Sequence, residues 1–165
     1  MLFKKLPYLI CIMLVSTAYN TVDESDIARA RIYYLQAAGN ETAANNLHDL
    51  TKNKTNEILN AYHGASLAIK AKYAWNPYKK LENVNAGLTI LNKAVNAKSS
   101  DVEIRFLRFS VEENLPAIVP GVRHCDEDKK TILTNLKKEH PFYSTIRAYM
   151  LGSKLLSSDE KKKIP

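Results

Sequence analysis

The chain has 165 residues, a one-domain length, with 45% hydrophobic and 25% charged side chains and a formal net charge of +7. That composition excludes a disordered chain, and two cysteines are too few for a disulfide-stapled scaffold. A domain of this size buries roughly two-thirds of its unfolded surface, so it needs neither metal nor disulfide to fold.

Residues 1–18 read as a signal peptide. Lys4 and Lys5 form a positive start, Leu6 to Val15 an apolar run, and Ser16-Thr17-Ala18 a small-residue cleavage pattern. The run is short of the about 20 residues that a membrane span takes. An uncleaved anchor is the alternative. A lipoprotein reading of Cys11 fails on Ile10, where a small residue is needed. Cleavage removes Cys11 and two lysines, leaving Cys125 as a lone thiol, expected to be buried, on a moderately basic chain. An exported chain of this charge suits acidic partners without demanding nucleic acid.

Helical spacing runs through almost every later segment. A first helix is expected from Asp23 to Ala38, broken by Gly39-Asn40, and Asn40 caps a second that ends near Leu50. The third, from Thr55 to Tyr73, carries an apolar ridge at Ile58, Tyr62, Ala65, Ile69 and Tyr73. Beside it runs a lane of small residues, Ala61, Gly64, Ala68 and Ala71, which admits a close neighbour. Asn76-Pro77 opens the fourth, with Leu81, Val84, Leu88, Leu91 and Val95 in alternating steps of three and four. Ser100 to Glu103 reads as a capping box opening a fifth helix to Asn114. After an irregular Pro116 to Gly121 stretch, a sixth is expected over Asp126 to Lys138. His140-Pro141 opens a seventh, and Ser157 to Glu160 forms a second capping box.

With Gly64 in the third helix and Gly87, Leu91 and Ala94 in the fourth, this pair resembles a tetratricopeptide hairpin, a repeat of about 34 residues with small residues at its helix contacts. The two glycines lie further apart than that repeat places them, so the likeness is to a degenerate form. The order of signal, small-lane helix, Asn76-Pro77-Tyr78 and Glu103 to Arg108 is also similar to that of small exported helical proteins of bacteria. The resemblance implies an all-α fold of six to eight helices in antiparallel hairpins, and export.

Candidate chemistry is sparse. His124-Cys125-Asp126-Glu127-Asp128 holds ligand-type side chains, but adjacent residues rarely point at one ion and no second ligand pair follows. We read it as a loop feeding acids into a helix N-terminus. Cys125 with His63 or His140 as base lacks any flanking nucleophile motif. Arg105 and Arg108 sit on a helix that is apolar nearly all round, so each needs a partner. Glu112, four residues after Arg108, and Glu113 are the expected ones. The functional alternative is an anion- or carboxylate-binding face. Trp75, Tyr78 and Tyr73 flank a helix–helix turn, where we expect them to fill the wide end of a hairpin. Exposed, they would form a partner-contact patch.

The expected function is therefore a non-catalytic exported module that binds a protein or peptide, with no cofactor or metal and no nucleic acid, and membrane contact only if the signal is retained. A small-ligand or anion-binding protein using Arg105 and Arg108 is the rival, and a Cys125-dependent enzyme a third reading. An exposed groove lined by Tyr and Ala favours the first. A concave pocket holding both arginines away from carboxylates favours the second, and Cys125 touching a histidine the third.

Overall fold

The computed structural model describes residues 23–121 and 123–165. The expected signal segment, with Cys11, lies outside them. The described residues form eight helices and no strand, the all-α class expected. Helix α1 covers 23–37, followed by α2 (Glu41–Thr51), α3 (Glu57–Lys70), α4 (Pro77–Ala97), α5 (Val102–Asn114), α6 (Cys125–Asn135), α7 (Tyr143–Gly152) and α8 (Ser158–Lys161). No described helix is long and apolar enough to cross a membrane.

Local chemistry sets most of these boundaries. Asn40, Asn56 and Asn76 each cap a helix by accepting from a free backbone N–H of its first turn, and Pro77 occupies a position where its missing N–H leaves nothing unpaired. The box at Ser157 and Glu160 forms reciprocally. Two expected caps differ. Asp101, not Ser100, caps α5, its carboxylate accepting from the Glu103 and Ile104 amides. His140 does not cap α7 directly. Its Nδ1 accepts from the amide of Phe142 at 3.0 Å, and the helix starts at the next residue, Tyr143.

Helices α3 and α4 form an antiparallel pair, with Glu57 at the start of one bridged to Lys98 at the end of the other at 3.3 Å. The small-residue lane meets α4 at Gly87. A Cβ added to Gly64 would stand 2.8 Å from the Gly87 carbonyl oxygen, and one on Gly87 would stand 2.5 Å from the Gly64 carbonyl. The two backbones are in contact because neither residue has a side chain.

Helix α5 is the centre of the fold. Every residue from Val102 to Glu112 is buried. Phe106 packs edge-on against Tyr34, Phe142 and Tyr149, so α1 and α7 meet on it. Such a helix must settle its charges internally. Glu103 and Glu112 lie nine residues apart, about 180° around a helix of 3.6 residues per turn, and are satisfied by opposite sides of the fold. Glu103 accepts from Arg31 Nε and Nη2 at 2.9 and 2.8 Å and from the Tyr62 hydroxyl at 2.7 Å, which ties α1 and α3 to α5.

Candidate functional site

Arg105 and Arg108 project from one side of α5 toward α6. Arg108 Nε and Nη2 donate to the two oxygens of Asp128 at 2.8 and 2.7 Å, and its Nη1 donates to Asn92 Oδ1 at 2.9 Å. Arg105 Nη1 donates to Asp128 and Glu127 at 2.8 and 2.6 Å, and its Nε to the Ser99 carbonyl at 2.7 Å. Asp128 is fully buried, whereas the Glu127 side chain is 58% exposed. The Arg105 guanidinium beside Glu127 holds that carboxyl below its ordinary range. A polar depression of about 430 Å³ touches both arginines, but it opens onto guanidinium groups already engaged by two carboxylates.

The expected partner was misplaced. Glu112 shares a helix face with Arg108 but turns to the loop before α6, where its carboxylate accepts from the His124 amide at 2.5 Å and lies 2.9 Å from His124 Nδ1. Glu113 accepts from Ser153 Oγ at 2.6 Å, so it does not serve the arginines either. Both arginines instead reach an acid from the His124 to Asp128 run. Asp126 and Glu127 behave as the expected acids of a helix first turn, while Asp128 faces inward.

Cys125 is half-buried, with Sγ 3.8 Å from Glu112 Oε2. Burial, reinforced by the Glu112 and Asp128 charges, pushes its thiol up to about 12. A thiol in that setting stays protonated and is a poor nucleophile. His63 stacks on His48 with ring centroids 4.9 Å apart, and His140 lies 3.8 Å from Glu103, so neither expected base is engaged with the sulfur. Among the described residues no group of three or more His, Cys, Asp or Glu side chains is placed to hold a metal ion.

Trp75 and Tyr78 are not packed into the end of the hairpin. They are 94% and 85% exposed, so no described element covers them. Tyr73 is the ring that tucks in, its hydroxyl donating to the Ala37 carbonyl at 2.5 Å.

Next to that turn lies a groove of about 960 Å³ between α1, the end of α3, the start of α4, α5, the 115–120 loop and α7. Its floor holds Tyr34, Phe106 and Tyr149, its walls Ala38, Ala68 and Ala71, and its mouth Leu35, Leu81 and Ile118. The floor's polar atoms are paired among themselves. The Tyr34 hydroxyl lies 2.6 Å from Ser110 Oγ, and Asn114 Nδ2 donates to the Tyr149 hydroxyl at 2.7 Å. Burial pushes the Tyr34 hydroxyl up to about 12, so it stays neutral. Sequence reasoning missed this groove. The signal that pointed to it was the apolar loop Pro116 to Pro120, which carries Ile118 at 89% exposure.

Compared with models of known protein families, with curated proteins and with solved structures, the chain matches none.

Proposed function

We propose that the chain is a non-catalytic exported module that binds a protein partner by taking an apolar peptide segment into the groove beside the α3–α4 turn. The observation that carries this reading is where the large apolar side chains are left uncovered. Leu35, Leu81 and Ile118 are exposed and line the groove, while Trp75 and Tyr78 are exposed on either side of Pro77, which also lines it. Grooves of this kind recognise helical or extended segments by shape and apolar contact, with exposed aromatic residues as frequent anchors. Export rests on the sequence of residues 1–18.

The two rivals have less support. An anion at Arg105 and Arg108 would have to compete with Asp128 and Glu127 for the same guanidinium groups. An enzyme using Cys125 would need a thiolate where burial and Glu112 oppose one.

Panning a displayed random-peptide library against the parent and against the Leu35→Gln/Leu81→Gln double variant tests the proposal. Both positions are exposed, so the variant keeps its fold and its melting temperature. Peptides retained by the parent are expected to lose at least tenfold in affinity on the variant. Equal retention by both proteins would remove the groove as the binding site. Phosphate binding that Arg105→Gln abolishes would favour the anion reading instead.

A further inference from the structure

We infer that the segment taken into this groove is acidic as well as apolar, held by Lys72 and Lys80, and that it comes from another protein rather than from this chain. The inference rests on the docking reading above and adds the charge of the occupant.

Among the described residues lining the groove there is no carboxylate, and the two charged side chains are Lys72 and Lys80. Neither forms an ion pair within the described residues. Lys72 is held in place, its Nζ donating to the Ala38 carbonyl at 2.5 Å and lying 6.0 Å from the Tyr73 ring centroid. An ammonium has three donors, so a carbonyl contact leaves others for an incoming carboxylate. The acid nearest Lys80 along α4, Glu82, is engaged by Lys79 at 3.0 Å. The groove thus combines an apolar, internally satisfied floor with two cations at its edge. Apolar contact supplies affinity there, and the cations select the sign of the occupant's charge.

That sign argues against occupants from the chain itself. The apolar run near the N-terminus is preceded by Lys4 and Lys5, and the C-terminus carries Lys161, Lys162 and Lys163. A second copy, with residues 1–18 removed, would still bring a net charge of +5, from 22 basic and 17 acidic side chains, toward the same two lysines. A foreign segment with Asp or Glu beside its apolar residues meets no such opposition.

The experiment is a library pan followed by fluorescence anisotropy on the retained peptides, using the parent, Leu35→Gln/Leu81→Gln and Lys72→Gln/Lys80→Gln, with oleate as a separate probe. Retained peptides are expected to combine apolar residues with Asp or Glu and to carry few Lys or Arg. Exposed ion pairs of this kind are worth about two- to fivefold each, so the lysine double variant should bind them roughly four- to 25-fold more weakly. The deficit should shrink as salt is raised. Neutral or basic peptides that depend on Leu35 and Leu81, or acidic ones indifferent to the lysines, would overturn the acidic occupant and leave the groove reading standing. If no peptide depends on Leu35 and Leu81, the groove reading falls and this inference with it. Oleate binding that depends on them, without any such peptide, overturns both in favour of a lipid.

Discussion

Arg108 holds Asp128 through two side-by-side bonds, Nε to Oδ2 and Nη2 to Oδ1, at 2.8 and 2.7 Å, and both side chains are shut away from solvent. Removing one member of a buried pair strands the other without water or partner, which typically costs about 3–5 kcal/mol. Asp128→Asn is expected to fall in that range, since it leaves two guanidinium groups facing a neutral amide. Arg108→Met should also destabilise markedly. Glu127→Gln, at a largely exposed position, should cost at most about 1 kcal/mol. Urea unfolding of the three variants checks the order. An Asp128→Asn protein as stable as the parent would refute the structural role given to the pair.

The Gly64–Gly87 contact predicts an inversion of the usual helix rule. Within a helix Ala is favoured over Gly by up to about 1 kcal/mol. Here the added methyl would press into a carbonyl oxygen of the facing helix, so Gly87→Ala and Gly64→Ala should each destabilise by about 1–3 kcal/mol, Gly87 the more. Gly152→Ala is the control. Its new methyl meets nothing within 4 Å, and it should be neutral or slightly stabilising. Thermal melts of the three single variants decide this.

Acidification should loosen the α2–α3 contact before the carboxylates titrate. Burial lowers the His48 and His63 imidazoles below 6.5, and the Lys70 charge adds to the effect at both. Among the charges near His48, Asp49 acts in the opposite sense and Lys52 in the same one. The unfolded chain therefore takes up these protons first. Stability is fully present above pH 6.5 and is lost as pH falls through the lowered folded values. The melting temperature should decline from pH 7 to 5. In His48→Gln/His63→Gln it should decline less over that interval. Parallel curves for the two proteins would contradict the assignment.

Cys125 should resist thiol reagents in the folded protein. With its thiol pushed up to about 12, little thiolate exists at neutral pH. In a chain carrying Cys11→Ser, reaction with a disulfide reagent at pH 8 should be slow in buffer and fast in urea. Equal rates would mean that the site does not suppress ionisation.

Much of the helical frame was legible because its signals are local. Asn76-Pro77 and the Ser157–Glu160 box work within a single turn. The Leu81 to Val95 stripe is likewise confined to one helix, although Leu81 at its end faces the groove instead of the core. The partners of the buried charges were not legible in the same way. Arg108 has an acid four residues along its own helix, and that spacing drew attention to Glu112. The residue it binds lies 20 positions away. One signal was present and unused. Asp128 falls four residues before Ile132 and eight before Leu136, in phase with the buried side of α6, so an acid occupied an apolar position. Arg31 and Glu103, separated by 72 positions, offered no such hint. The exposure of Trp75 and Tyr78 was not legible either, because apolar rings are usually drawn inward, whereas their burial depends on whether elements distant in sequence cover the turn.

The burial of α5 from Val102 to Glu112 also sets the order in which the molecule comes apart. A surface helix can fray while the rest persists, but α5 is covered by α1, α3, α4, α6 and α7 together. Its amides from Phe106 to Ser110 can reach water only when those neighbours separate. Their deuterium exchange should therefore proceed at the rate set by global unfolding, the slowest in the protein, while α8, a single short turn, exchanges far sooner. In this fold the most charge-rich buried helix is also the last to be released.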